Sequence, residues 1–342
     1  MPPPWTLWFS TLSLMLLFTL FPTSLRAAEI DSFSDRDQTR PDTAERINVL
    51  INRRLEEGVR KANLLEQANA FDQVPNAICN EETLYTELRK AIFQSLTASW
   101  GLKGYSLDQQ MREALTDYSL HREVEDSIYR DFGYLDAPSM RLKGLSDMVW
   151  VNGHFIGLDK LGHFFAEGWS YFEMTQAPEH SLNDAIRWGH EQEEGKFGLV
   201  TTGVFSYADL AANFNGWRFW NQIRRAHNDP LRGFWGNLFA GAQISCSFQV
   251  MASIKQRQWV YAWELKQDFD IRDYVDGAWD EGQNCSRYAN TALADSVQRQ
   301  LSALQRGLQC PLKPGQCQEV GARYGPWRSD LLHPRCLDTH SD

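Results

Sequence analysis

Three short polar runs at helical spacing, all lying between Asp159 and Gly216, constrain this chain more than any other feature. They read Asp159-Lys160-Leu161-Gly162-His163, His190-Glu191-Gln192-Glu193-Glu194, and Ser206-Tyr207-Ala208-Asp209 running on to Asn213 and Gly216. Residues three or four apart share a helix face. Asp159 with His163, Glu191 with Glu194, and Asp209 with Asn213 are therefore expected to point in pairs, and the three ridges to meet in one pocket. Charged side chains are seldom buried unless paired, so a fold that brings these runs inward must satisfy them there. The competing reading is local: Asp159, Ser206 and Asp209 suit helix starts, and the glutamates suit a solvated face.

Material for a core is ample. The chain has 342 residues, 43% of them hydrophobic, with 13 tryptophans and 19 phenylalanines. A formal net charge of −10 argues against DNA or RNA as a partner, because phosphate binding needs a basic patch. Leu7 to Phe21 is an apolar block followed by Ala27-Ala28, the form of an export signal, although its flank MPPPW lacks Lys and Arg. Cleavage after Ala27 frees the body. Without cleavage, Trp5 to Leu25 is about 21 residues, enough to anchor it in a bilayer, and that segment would be its only membrane contact. Either outcome puts the body outside the cytoplasm, in a periplasm. The six cysteines fit such a compartment and point to disulfides, with Cys310 and Cys317 the expected local pair across CPLKPGQC. Cys79 and Cys246 also read as small buried residues. No CxxC spacing supports a thiolate zinc site.

Periodicity predicts a mainly α fold, a multi-helix bundle with one small β-hairpin near 148–156. Residues 1–28 form the signal or anchor, 29–145 a helical region, 146–308 the core carrying the polar site, and 309–342 a Cys/Pro/Gly-rich cap. Ile47, Leu50, Ile51, Leu55 and Val59 make an apolar helical stripe, and Leu84, Leu88, Ile92 and Leu96 make another. Ser106-Leu107-Asp108-Gln109 has capping-box form. Ser119 to Phe132 is expected to be helical, and Pro230 to about Arg257 to form a central core helix. Met148 to Ile156 around Asn152-Gly153 reads as a two-residue hairpin leading straight into Asp159. His154 on it reads as a surface residue. The aromatic run Trp217, Phe219, Trp220, Phe234 and Trp235 reads as core before it reads as a sugar or lipid platform. Asp276, Asp280 and Glu281 form a second acidic cluster at a helix end or loop, with no EF-hand pattern. There is no internal repeat.

Imidazole and carboxylates drawn from facing helices suit one divalent cation. His163, Glu194 and Asp209 are the candidate ligands, Glu191 the candidate general base, and Asp159 and Asn213 the groups that orient them. H-E-x-E-E lacks the second histidine of a zinc-protease helix, and no helix carries the E-x-x-H of a dinuclear site. A metal-free version uses His163 as acid or base with Asp209 or Asp159 fixing its tautomer. No G-x-S-x-G elbow is present.

The order Asp159-Lys160-x-x-His163, Glu191-x-x-Glu194, Ser206-x-x-Asp209-x-x-x-Asn213-x-x-Gly216 resembles VanZ-like proteins and the related YfiM-like predicted periplasmic lipoproteins. That resemblance covers about 60 residues, as short helical pieces in a fixed order. Glu194 stands where the family pattern has Gln or Asp, and no lipobox cysteine is present. The resemblance implies a shared polar site and an envelope location, and it does not give a reaction. A cell-envelope component or a lipid or glycan substrate is the expected partner of a protein in that place. Two functions follow: a hydrolase-like site using a divalent ion, or a non-enzymatic binding or scaffold protein whose polar residues hold helices together.

Overall fold

The computed structural model describes residues 29–71, 79–93, 107–195, 197–252, 257–304 and 308–337. The apolar block Leu7 to Phe21, Leu96 and Ser106 lie outside them. Mainly α architecture is borne out; among the described residues three two-stranded antiparallel pairs accompany the helices. Helix α1 (Ala44–Phe71) lays its Ile47, Ile51, Leu55 and Val59 stripe against α2 (Glu81–Ile92), whose Leu84, Leu88 and Ile92 are buried in the same core. Asn80 caps α2 by accepting from Thr83 N. Two further helices, α3 (Leu107–Leu115) and the short α4 (Pro138–Lys143), lead to the hairpin.

Strands β1 (Met148–Val151) and β2 (His154–Gly157) pair Val151 with His154 across the turn, and Asn152 and Gly153 have φ of 53° and 77°. Both central residues are left-handed, the type I′ geometry that matches strand twist and favours Asn-Gly. The hairpin runs directly into α5 (Asp159–Gly162), a π-turn (His163–Glu167) and α6 (Gly168–Met174), with right-handed helical φ and ψ through the joints. After α7 (Leu182–Glu194) and β3 (Val204–Phe205) comes α8 (Tyr207–Arg224), buried on all sides from Ala208 to Ile223. This is the central helix. It approaches the α5–α6 rod through glycine: a Cβ on Gly168 would lie 2.5 Å from Gly216 Cα, with no flexible side chain to yield.

Pro230 to Arg257 is not one helix. Among its described residues it holds α9 (Phe234–Phe239) and then β4 (Ile244–Ala252), paired along its length with β5 (Arg257–Leu265). The sequence ISCSFQVMA alternates with period two and RQWVYAWEL is rich in aromatic and β-branched residues, so a strand period was present beneath the apolar density. Trp217, Phe219 and Trp220 are core, whereas Phe234 and Trp235 are 73% and 67% exposed. Ser119 to Phe132 is also not a regular helix. Leu120 forms a bridge to Met148, a 3-10 turn spans Val124–Asp126, and Asp31 accepts from Ile128 N at 3.0 Å. A side chain thus takes an amide that helix formation would have used.

The last pair is β3 with β6 (Arg287–Tyr288), followed by α10 (Thr291–Ala303), α11 (Pro314–Tyr324) and α12 (Arg328–Leu331). Disulfides join Cys79 to Cys246, Cys285 to Cys310 and Cys317 to Cys336. The expected Cys310–Cys317 pair is therefore not formed, because α11 carries Cys317 onto the loop of Cys336 while Cys310 lies beside Cys285. Cys79 and Cys246 are bonded rather than merely packed. Three disulfides point to an oxidising compartment. Among the described residues no helix is long and apolar enough to cross a membrane.

Replacing Gly216 by Ala is expected to lower unfolding free energy by about 2–3 kcal/mol, the upper range for overpacking, since backbone stands against the new methyl. Gly236→Ala, where the nearest side-chain atom lies at 3.4 Å on an exposed helix, should be neutral or stabilising. Urea midpoints at unchanged m-value measure both.

Candidate functional site

The centre of the polar cluster is Lys160, whose side chain is 0% exposed. Its ammonium lies 3.0 Å from Asp159 Oδ2, 2.6 Å from Asp209 Oδ1 and 2.7 Å from Glu281 Oε1. The hairpin aims this end of the rod: a Cβ on Gly157 would collide with Asp159 Oδ1 and with Ile30, so glycine there lets the carboxylate turn inward. One turn on, His163 Nε2 is 3.3 Å from Asp209 Oδ2, and its Nδ1 is 3.2 Å from Glu167 Oε2 and 3.2 Å from the Asn213 amide. His163 opens the π-turn, and the extra residue such a turn inserts re-aims side chains, which is why it recurs at functional sites.

Helix α8 supplies the opposing wall. Ser206 caps it by accepting from Asp209 N at 3.2 Å, and its hydroxyl donates to Glu281 Oε1 at 2.7 Å. Asp209 and Asn213 follow on the inward face. From α7 the inward residue is Glu193, 2% exposed, whose Oε2 accepts from Ser206 N at 3.2 Å. Glu29 closes the far side, accepting from Thr202 Oγ1 at 3.1 Å.

The expected convergence is present for Asp159, His163, Asp209 and Asn213, and absent for Glu191 and Glu194. Glu191 is exposed, and Glu194 faces outward to pair with Arg287 at 3.2 Å. The reason is the rotation of α7: its buried face runs Ala185, Ile186, Gly189, Glu193. That stripe was readable at i, i+3, i+7, and would have selected Glu193. Lys160 sits about 100° round the helix from Asp159, yet its long stem brings the ammonium back to the Asp159 carboxylate. Glu281 belongs to the acidic run already noted, but only the tertiary fold carries that loop beneath Ser206. Nothing in the sequence around Glu29 marks it as buried.

Charge in the cluster is tightly linked. Burial disfavours the Lys160 ammonium, but Asp159, Asp209 and Glu281 outweigh this and hold it protonated well above its usual range. Burial likewise opposes the His163 cation, while Asp209, Glu167 and Glu193 raise it to about 9. Burial and the Asp209 charge push Glu193 up to about 8. Glu29, Asp159 and Glu281 are raised chiefly by burial. Asp209 is held low: burial works against its charge, and the His163 and Lys160 cations overcome it. The Asn213 amide lies 3.2 Å from His163 Nδ1, and with its nitrogen toward the ring it donates there and to the Asp209 carbonyl at 3.1 Å.

Ligand atoms of Asp159, His163 and Asp209 all lie within 4.8 Å of one another. Lys160 ion-pairs with Asp159 Oδ2 and Asp209 Oδ1, Asp159 Oδ1 and Asp209 Oδ1 are both buried without a hydrogen bond, and Asp209 Oδ2 lies 3.3 Å from His163 Nε2. One nitrogen and two carboxylate oxygens are a donor set suited to zinc or another first-row divalent ion. Comparison of the chain with protein-family models, with curated proteins and with solved structures returned no match.

The raised pKa values of Glu193 and His163 have a definite consequence for stability. Both groups hold protons more tightly folded than unfolded, so their contribution is complete below about pH 4.5 and pH 6.5 respectively. It is lost as pH rises through about 8 for Glu193 and about 9 for His163. Chelator-treated protein should therefore become less stable from pH 6 to 9.5. Glu193→Gln should flatten that slope and Glu191→Gln leave it unchanged, as read by urea midpoints at each pH.

Proposed function

We propose that this chain is an exported, periplasmic envelope protein whose buried cluster holds one divalent cation and serves a hydrolytic reaction. The observation that carries the reading is the mutual approach of ligand atoms from Asp159, His163 and Asp209, all within 4.8 Å of one another, beside two carboxylate oxygens, Asp159 Oδ1 and Asp209 Oδ1, that are buried without a hydrogen bond. Lys160 ion-pairs with both aspartates. A buried carboxylate oxygen without a partner costs about 1–3 kcal/mol, which a cation would recover. Lys160 then fixes the rotamers of both aspartates, and Asn213 sets the imidazole, the supporting role that polar neighbours play around metal ligands. Such an ion supplies Lewis acidity and an acidified water. Glu193, poised to titrate near pH 8 beside Asp209, replaces Glu191 as the acid–base group. The disulfides and the VanZ-like order of motifs support the envelope setting.

One observation favours a non-enzymatic reading. Lys160 is itself a cation among three carboxylates, and His163 is only 8% exposed, which suits a closed ionic network that fixes helix packing. Elemental analysis of tag-free protein separates the two. The metal reading expects near-stoichiometric zinc or manganese, lost in His163→Ala and in Asp159→Asn. It also expects affinity to climb between pH 6 and 9, because a proton must leave His163 before the nitrogen can ligate. Protein that takes up no ion at any pH, with His163→Ala reducing only stability, would leave the structural network standing.

A further inference from the structure

A cavity lies on the side of Glu281 away from Lys160. It measures about 400 Å³ and is walled on one side by α10, through Ala294, Val297 and Leu301, and on the other by Phe33 and Tyr129. This is within the size range of small-molecule sites, ~300–1,000 Å³, and like them it is mostly apolar with a few polar groups. The Cys285–Cys310 disulfide forms part of the wall and ties the segment carrying Arg287 to the C-terminal region.

Its polar groups are arranged by depth. Glu281 closes the inner end, with Oε2 accepting from Ser286 Oγ at 3.2 Å while Oε1 faces Lys160 and Ser206. Tyr129, 1% exposed, and half-buried Tyr288 line the interior, and neither hydroxyl hydrogen-bonds to protein among the described residues. Two exposed guanidinium groups, Arg287 and Arg335, also line the cavity. Arg287 is engaged by Glu194 in a pair whose side chains are 47% and 59% exposed, an interaction of little net strength that a ligand can replace. Arg335 donates to the Cys310 carbonyl at 2.8 Å and has no ion-pair partner among the described residues.

From this arrangement we infer that the cavity is a binding site for an anionic amphiphile. Its acyl or aryl body lies against Val297, Leu301 and Phe33, and its carboxylate or phosphate sits between Arg287 and Arg335. The direction of insertion follows from charge. An anionic group sent inward would meet the Glu281 carboxyl in a low-dielectric interior, whereas at the exposed end it meets two guanidinium groups of bidentate geometry. An amphiphile of opposite charge would leave both arginines unused and is disfavoured at the same end. The inference does not depend on a metal ion in the Lys160 cluster.

The test is calorimetric titration of the full oxidised protein with monomeric dodecyl phosphate, below its micelle concentration, and with dodecyltrimethylammonium. Saturable one-to-one binding of the phosphate is expected, with the ammonium at least tenfold weaker. Arg335→Ala and Arg287→Ala should each weaken the phosphate about tenfold, and Ala294→Trp, which fills the half-buried wall of α10, should abolish binding at an unchanged melting temperature. Cosedimentation with phosphatidylglycerol vesicles distinguishes a bilayer from a free ligand. Vesicle binding that survives Ala294→Trp, with no binding of the monomer, would assign the affinity to a membrane surface and overturn the inference. So would equal affinity for the two amphiphiles, or no binding of either.

Discussion

Burying a lysine is costly unless its charge is matched, and the fold around Lys160 is built to match it. The three carboxylates that touch its ammonium come from its own helix, from the first turn of α8 and from the loop at Glu281. Removing any of them leaves an uncompensated charge in the interior, whereas the complete set draws three separated stretches of chain to one point. Such a cluster adds little net stability over an apolar core of similar shape. Its effect is on specificity: only one rotation of α8 and one path of the 276–281 loop present the carboxylates correctly.

That constraint would be empty without close backbone approach. Gly168 and Gly216 let the rod and α8 meet at a distance no side chain permits, and Gly157 lets Asp159 turn inward. The buried face of α8 is then free to carry polar residues, because each finds a partner. Asn215 donates to Tyr324 at 2.7 Å, and Arg218 is held by Asp229 at 2.8 Å. A helix buried on all sides is expected to be apolar all round; this one is not, and its polar groups make its orientation unique.

The same carboxylate, Glu281, separates two environments. On one face it belongs to the ion cluster, and on the other it ends the apolar cavity lined by α10. Charge state on one side is therefore felt on the other, since burial and the nearby aspartate set the Glu281 proton affinity against the pull of Lys160.

By itself the sequence determined what depends on near neighbours. The stripes of α1 and α2, the Asn152-Gly153 hairpin, the Ser206 cap and the inward pairing of Asp159 with His163 and Asp209 with Asn213 all follow from local spacing. It also held two signals that apolar density obscured, the period-two alternation of β4 and the buried stripe of α7 that ends in Glu193. Tertiary structure alone decided the rest. Which cysteines pair, whether Lys160 points inward, and which distant carboxylates, Glu29 and Glu281, complete the cluster depend on how helices are rotated and loops are laid across them. Those choices are made by packing and by the balance of buried charge, interactions between residues far apart in the chain, on which periodicity and capping carry no information.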